Sequence, residues 1–364
     1  MNVYLDHAAT TPLDGEVFEK MLPLLKENFG NPDSLHTAGR RAAYAVSLAR
    51  DSVAKTLGVK PNEVYFTSGG TEADNWAVRC LGEGRACVSA IEHAAVRSAA
   101  ILREGGFGEI GVSADGIVTA DNVANALTQD TNLVCVMAVN NETGCIQPIE
   151  EISALCSSRG VLLFSDCVQA ACTLDLKEII GVCDAISLSA HKIGGPKGTG
   201  VLVVKNGVKM RSLIVGGEQE RSLRGGTLNV AGAVGFAAAL EKAQRAREEF
   251  AAHTLRLRDL FEKIVLQKLG KEAIVDGANR VPNISHITFE KSGEWLLSAL
   301  DLKGVCASGG AACSAHAALP SHVLTAMGRS EQEAKRGVRF SFGRETTEEE
   351  AIFAANAVIE CLKK

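Results

Sequence analysis

Apolar and polar positions change rhythm along this chain in a regular way. Between Arg40 and Lys205, stretches with helical periodicity alternate with short apolar runs of strand length. The pattern predicts helices over 40–57, 72–81, 94–103 and 149–158, and strands over 63–67, 86–90, 133–139, 161–165 and 185–189. Repeated strand–helix–strand units imply a mainly parallel sheet with helices on both faces. A long helical region, Val230 to Leu269, then leads to a second section. There the pattern predicts strands over 285–289 and 338–341, a helix over 293–300 and a final helix from Thr347. The fold class is α/β, a large mainly parallel sheet domain joined by the long helix to a smaller α/β domain.

Composition narrows the function classes. A chain of 364 residues has room for about two domains, and 46% hydrophobic with 22% charged residues is ordinary for a protein with a large core. A net charge of −5 gives no reason to expect nucleic acid or an anionic membrane as partner. The start, MNVYLDHAATTP, lacks a basic segment followed by an apolar run, and apolar stretches such as Asn132 to Val139 are of strand length. The expected location is cytoplasmic. Eleven cysteines occur without a CxxC pair or a zinc-like Cys/His spacing, so no metal site is expected. Cys87, Cys135, Cys172 and Cys361 lie in apolar segments, where a thiol serves as a small core residue. Cys313 differs, with Gly, Ala and Ser around it.

Candidate chemistry gathers where strands end, since ligands of open α/β sheets collect outside the carboxyl ends of strands. In SLSAHKIGGPKGTG an apolar strand runs into His191 and Lys192, and glycines and a proline then stop regular structure. Lys192 is either a solvated loop residue or a partly desolvated amine; Lys197, beyond the proline, reads as solvated. In TSGGTEADN, from Thr67, a strand ends, two glycines turn and a helix starts with Thr71 as cap and Asp74 three residues on. Such a start is either a plain capped helix or a phosphate cradle. In VLLFSDCVQ a strand delivers Asp166 and then Gln169; the carboxylate either caps a turn or pairs with a protonated ring nitrogen. His93, in IEHA, either opens a helix or stacks on a planar ring. Cradle, strand-end acid, aromatic platform and strand-end lysine together suggest pyridoxal phosphate, whose aldehyde condenses with a neutral lysine amine.

Nine ordered blocks then carry a resemblance over nearly the whole chain: YLDHAATTP (4–12), FGNPDSLHTAGR (29–40), FTSGGTEADN (66–75), EHAAV (92–96), VNNETG (139–144), SDCVQ (165–169), SAHKIGGPKG (189–198), RGGT (224–227) and RFSFGR (339–344). The sequence resembles the cysteine desulfurases among the class V, fold type I pyridoxal-phosphate enzymes, in the iron–sulfur and nitrogenase-associated group. The resemblance implies that Lys192 carries the cofactor, Asp166 pairs with its ring nitrogen and His93 stacks on the ring. It implies that Asn141 and Gln169 bond the phenolic oxygen, and that Gly70, Thr71, Ser189 and His191 hold the phosphate with Thr227 from the second subunit of a homodimer. Arg339, with Asn141, would bind the substrate carboxylate. Lys192, His93 and Cys313 would be catalytic, Cys313 accepting sulfur from L-cysteine as persulfide and passing it to an acceptor protein. Residues 15–255 would form the large domain, and 1–14 with 256–364 the small one. Two alternatives stay open: a selenocysteine lyase or other β-eliminating enzyme of the same cofactor, and a catalytically idle scaffold. Departures are Glu218, where the family has glycine, Gly194, where a tyrosine is common, and His316, three residues after Cys313, which is either a solvated loop residue or a neighbour that lowers its thiol pKa.

Overall fold

The computed structural model describes residues 1–293, 295–309 and 320–363. Its main sheet has seven strands, in the order Val64–Thr67, Gly200–Val204, Ala185–Ser189, Leu162–Asp166, Thr131–Cys135, Arg85–Ser89 and Phe107–Ile110. Gly200–Val204 runs antiparallel to both neighbours, and the other pairs are parallel. Val64, Val134, Ile186 and Val201 pack on one face against Val46, Ile152 and Phe236, from helices Thr37–Leu57, Ile149–Arg159 and Val230–Arg245. Tyr65, Leu133, Phe164 and Leu202 pack on the other against Trp76 and Ala99, from helices Gly70–Cys80 and Ala94–Ile101. With both faces covered, a strand such as Ala185–Ser189 is buried at every position, which is why it reads as an apolar run.

A second core lies on a three-stranded antiparallel sheet, ordered Gly337–Ser341, Ile284–Phe289 and Ala273–Val275. Ile287, Phe289, Val338 and Phe340 meet Phe261 and Val265 of helix Arg247–Leu269 and Val358 of helix Glu348–Leu362. The alternate positions, His286, Thr288, Arg339 and Ser341, are polar and also buried. Strand alternation therefore leaves a polar face opposite the apolar one. Val3–Tyr4 pairs with Val305–Cys306, and the chain then crosses to the large sheet, where Thr11 donates from N and Oγ1 to His191 O at 2.8 and 2.9 Å.

The helical region expected over 230–269 is two helices, Val230–Arg245 and Arg247–Leu269, parted at Ala246. The first packs on Thr37–Leu57 and the second on Glu348–Leu362, and one straight helix cannot serve both cores. Among the described residues no helix is long and apolar enough to cross a membrane.

Candidate active site

The Ala185–Ser189 strand ends in a single 3-10 turn, Ala190–Lys192, which sets Lys192 half-buried at the carboxyl edge of the sheet. Its Nζ donates to Ala8 O at 2.6 Å and Ala9 O at 2.8 Å. Gln169 Nε2 donates to the same Ala8 carbonyl at 2.8 Å. Two residues singled out in the sequence thus meet on the N-terminal segment. Lys197 is exposed.

Asp166 closes the neighbouring strand and is buried, and its Oδ1 accepts from Val168 N at 2.9 Å. It caps a turn, as the plainer reading expects. Burial pushes its carboxyl pKa up, opposed by His93, the Val168 hydrogen bond and Lys192. His93 opens helix Ala94–Ile101, and its Nδ1 accepts from Ala95 N at 3.1 Å. That bond requires a bare Nδ1, so the neutral ring carries its proton on Nε2. Burial lowers the His93 pKa; Asp166 works against this and Lys192 with it. A neutral ring near both an acid and an amine is suited to lie against another flat ring.

The reading of Thr71 as a helix cap with Asp74 in a capping box is corrected. The helix begins at Gly70, and its cap is Gly69, with no side-chain hydrogen bond. Gly69 has φ 152°, a conformation open to glycine, and Gly200 lets it pass: a Cβ on Gly200 would lie 2.7 Å from Gly69 Cα. Asp74 faces the sheet instead, buried, and accepts from Ser187 Oγ at 2.5 Å. Burial, then the nearby Asp166, raises its pKa. Among the described residues no side chain caps this helix start, where Thr71 is exposed. Ser189 Oγ, next to Gly70, is buried without a hydrogen-bond partner among the described residues. An orphaned hydroxyl beside a helix N-terminus fits a phosphate. His191 Nδ1 lies 3.2 Å from Thr10 Oγ1, and burial, then Lys192 and Lys197, lower its pKa to about 4. Arg224 clasps Glu72 of the same helix at 2.8 and 3.0 Å, and Thr227, three residues on, is exposed.

Arg339 is 2% exposed. Its Nη1 donates to Asn141 O at 2.6 Å and its Nη2 to Asp6 Oδ1 at 2.8 Å. Its Nε is buried with no partner among the described residues. Such an orphan costs about 1–3 kcal/mol unless a ligand takes it. Asn141 is positioned by Asn140, whose Oδ1 accepts from Glu142 N and Thr143 N at 3.0 and 2.9 Å and whose Nδ2 donates to Ile91 O at 2.9 Å. Asn140 thereby joins the Asn141 turn to the turn that carries His93.

Cys313 and His316 lie outside the described residues. Cys87, Cys135 and Cys361 are buried; Cys172 is half-buried, 3.7 Å from Lys192 O, and burial, against a lowering by Arg344, raises its thiol pKa to about 11. Sequence reasoning did not assign Asp6, Asn140 or the Ala8 and Ala9 carbonyls. The Asn-Asn pair at 140–141 was a signal for Asn140; backbone carbonyls leave none.

The model of the aminotransferase class-V family matches residues 3–352. The chain belongs to this family. Among curated members, the cysteine desulfurase IscS of Methanosarcina thermophila is 40% identical over 100% of this chain and 92% of its own. A second, from Clostridium botulinum, is 38% identical over 100% of this chain and 94% of its own. A solved NifS-like protein superposes with a TM-score of 0.91 at 34% identity, covering 100% of both chains. The structure of SspA in complex with cysteine superposes with a TM-score of 0.80 at 32% identity, covering 93% of this chain and 98% of that one. The large, mostly parallel sheet is thus the class-V fold of the NifS-like enzymes.

Proposed function

We propose that this class-V chain is a pyridoxal-5′-phosphate-dependent cysteine desulfurase, which converts L-cysteine to L-alanine and moves the sulfur to Cys313 for an acceptor protein. The observation that carries the reading is a pair of buried donors without a partner among the described residues, Ser189 Oγ beside Gly70 and Arg339 Nε on the guanidinium that Asn141 O holds, together with Lys192, Asp166 and His93, the first two close enough to the third to shift its pKa. One suits a phosphate and the other a substrate carboxylate.

In this reading Lys192 carries the cofactor, Asp166 balances its ring nitrogen, His93 lies on its ring, and Asn141 and Gln169 meet its phenolic oxygen. Gly70, Thr71, Ser189 and His191 take the phosphate, joined by Thr227 of a second copy. When bound, the cofactor supplies an electron sink that lets the substrate α-proton leave. Lys192 Nζ, held near the Ala8 and Ala9 carbonyls, accepts and returns that proton. Arg339 and Asn141 orient the substrate by its carboxylate. The Cys313 thiolate attacks the substrate sulfur: the S–S bond forms, the Cβ–S bond breaks, and Cβ keeps the electron pair and takes a proton, giving alanine.

A homodimer is supported by apolar side chains left on the surface of the single chain. Leu35 is 90% exposed, Phe29 79% and Val215 84%, and Tyr44 and Leu48 join them. The two separate cores support a large domain over 15–255 and a small one from 1–14 and 256–364, with the division falling inside helix Arg247–Leu269. Persulfide chemistry on a thiol suits a reducing cytoplasm.

The test is to incubate purified, cofactor-loaded protein with L-cysteine and a thiol reductant, with L-selenocysteine in parallel. Equal amounts of sulfide and alanine are expected, lost in Cys313→Ala. A colourless protein that cannot be reconstituted with pyridoxal phosphate would overturn the reading.

A further inference from the structure

The N-terminal segment reaches both the carboxylate end and the lysine end of the candidate site. Asp6 Oδ1 accepts from Arg339 Nη2, the Ala8 and Ala9 carbonyls accept from Lys192 Nζ, and Thr10 Oγ1 lies beside His191 Nδ1. The segment is itself fixed. Tyr4 Oη donates to Asp6 O and Thr10 O at 3.1 and 3.0 Å, Ala9 N donates to Asp6 O at 3.0 Å, and Ala8 N donates to Ser341 Oγ at 2.9 Å. Asp6 therefore sits in a closed turn, its carboxylate presented to Arg339.

A guanidinium is a flat fork of five N–H donors, so its plane decides which donors a ligand meets. A single contact would leave that plane able to turn about it. Here the Asn141 carbonyl, in a turn of the large domain, holds Nη1 and Asp6 of the N-terminal segment holds Nη2, and among the described residues Nε is the guanidinium nitrogen left without a partner. We propose that Asp6 is a positioning residue for Arg339, fixing the guanidinium plane so that the Nε edge faces the substrate carboxylate; this rests on the reading of Arg339 given above. The exposures agree. The Asp6 side chain is 20% exposed and that of Arg339 2%, so Asp6 keeps part of its hydration and need not be displaced when a second carboxylate arrives. The peptide carbonyls two and three residues on hold Lys192, so substrate carboxylate and catalytic amine are registered by one short piece of chain.

Equilibrium absorbance titrations of the cofactor-loaded protein test this with two ligands: L-alanine, which carries the carboxylate, and ethylamine, which is alanine without it. Asp6→Asn should raise the Kd of L-alanine about tenfold and leave that of ethylamine within about twofold, as expected for a lost charge-assisted contact that acts only on the carboxylate. Asp6→Glu should recover part of the loss. A purely structural role would weaken both ligands alike, and that result, or an unchanged L-alanine Kd, overturns the proposal. Should Asp6→Asn fail to fold, Asp6→Glu still carries the comparison, because its smaller loss should fall on L-alanine and leave the ethylamine Kd unchanged. Failure of the underlying reading shows separately: an Arg339→Ala protein that binds L-alanine like wild type would overturn the role of Arg339 itself.

Discussion

Ser308 and Arg339 exchange both backbone hydrogen bonds, at 3.1 and 2.7 Å, so the chain leaves toward Cys313 directly beside the buried guanidinium. It returns at Ser321 and His322, which bond Glu142 Oε2 at 2.5 Å and Glu92 O at 2.9 Å. The two described flanks of the segment that contains Cys313 are therefore tied to Arg339 and to the chain neighbours of Asn141 and His93.

Ser321 also caps helix His322–Ala326, its Oγ accepting from Leu324 N at 3.1 Å. Ser321→Ala removes the cap and leaves Glu142 without this donor, and should cost about 1–3 kcal/mol of stability in denaturant titrations. Persulfide formation on Cys313, read by alkylation and mass, should slow while cofactor binding holds.

Glu220, Arg221 and Ser222 occupy a left-handed turn with φ of 46°, 61° and 64°. Glu220 is locked by Arg50 at 2.6 Å and is buried, whereas Ser222 is exposed. Ser222→Gly relieves the Cβ clash and should gain up to about 1 kcal/mol, net of the added entropy of the unfolded chain. Unfolding midpoints measured at one pH check this.

Glu92 is fully buried, and burial raises its pKa to about 8 against the hydrogen bonds from Ser89 and Met137 N. The folded state holds the proton more tightly than the unfolded one. Its stabilising contribution is therefore complete below the ordinary value of 4.5 and is lost as pH rises through about 8. Glu92→Gln keeps the acceptor for both donors and cannot ionise, so its unfolding midpoint should fall less steeply than that of wild type across this window.

Lys192→Ala and Thr227→Ala should each be inactive as homodimers, the first also losing the covalent cofactor link. Mixed and refolded together, they should recover part of the activity, because one of the two sites in a heterodimer then holds both an intact Lys192 and an intact Thr227 from its partner. Full activity from a monomer in sedimentation would contradict the shared site.

The placement of Lys192, Asp166 and His93 at strand ends was legible because each piece is local. Lys192, Asp166 and His93 stand next to the apolar runs that carry them, and a strand that must be buried delivers its last residue to the sheet edge whatever happens elsewhere. The failures were local rules overruled by distant neighbours. Thr71 has the right residue type for a cap, but the close pass of Gly69 by Gly200 moves the helix start one residue earlier than Thr71. The strand Gly200–Val204 was not singled out, and its antiparallel direction comes from its pairing with Ala185–Ser189 and Val64–Thr67.

The sequence by itself determined the alternation of helix and strand, the burial of the strands and the positions of the chemical groups along them, because hydrophobic period and glycine placement act within a few residues. Only the tertiary structure decided what those groups face. Asp6 meets Arg339 across 333 residues of chain, and Lys192 meets Ala8 across 184. Such contacts depend on backbone carbonyls and on the joining of two sheets, and neither has a residue type that could announce it.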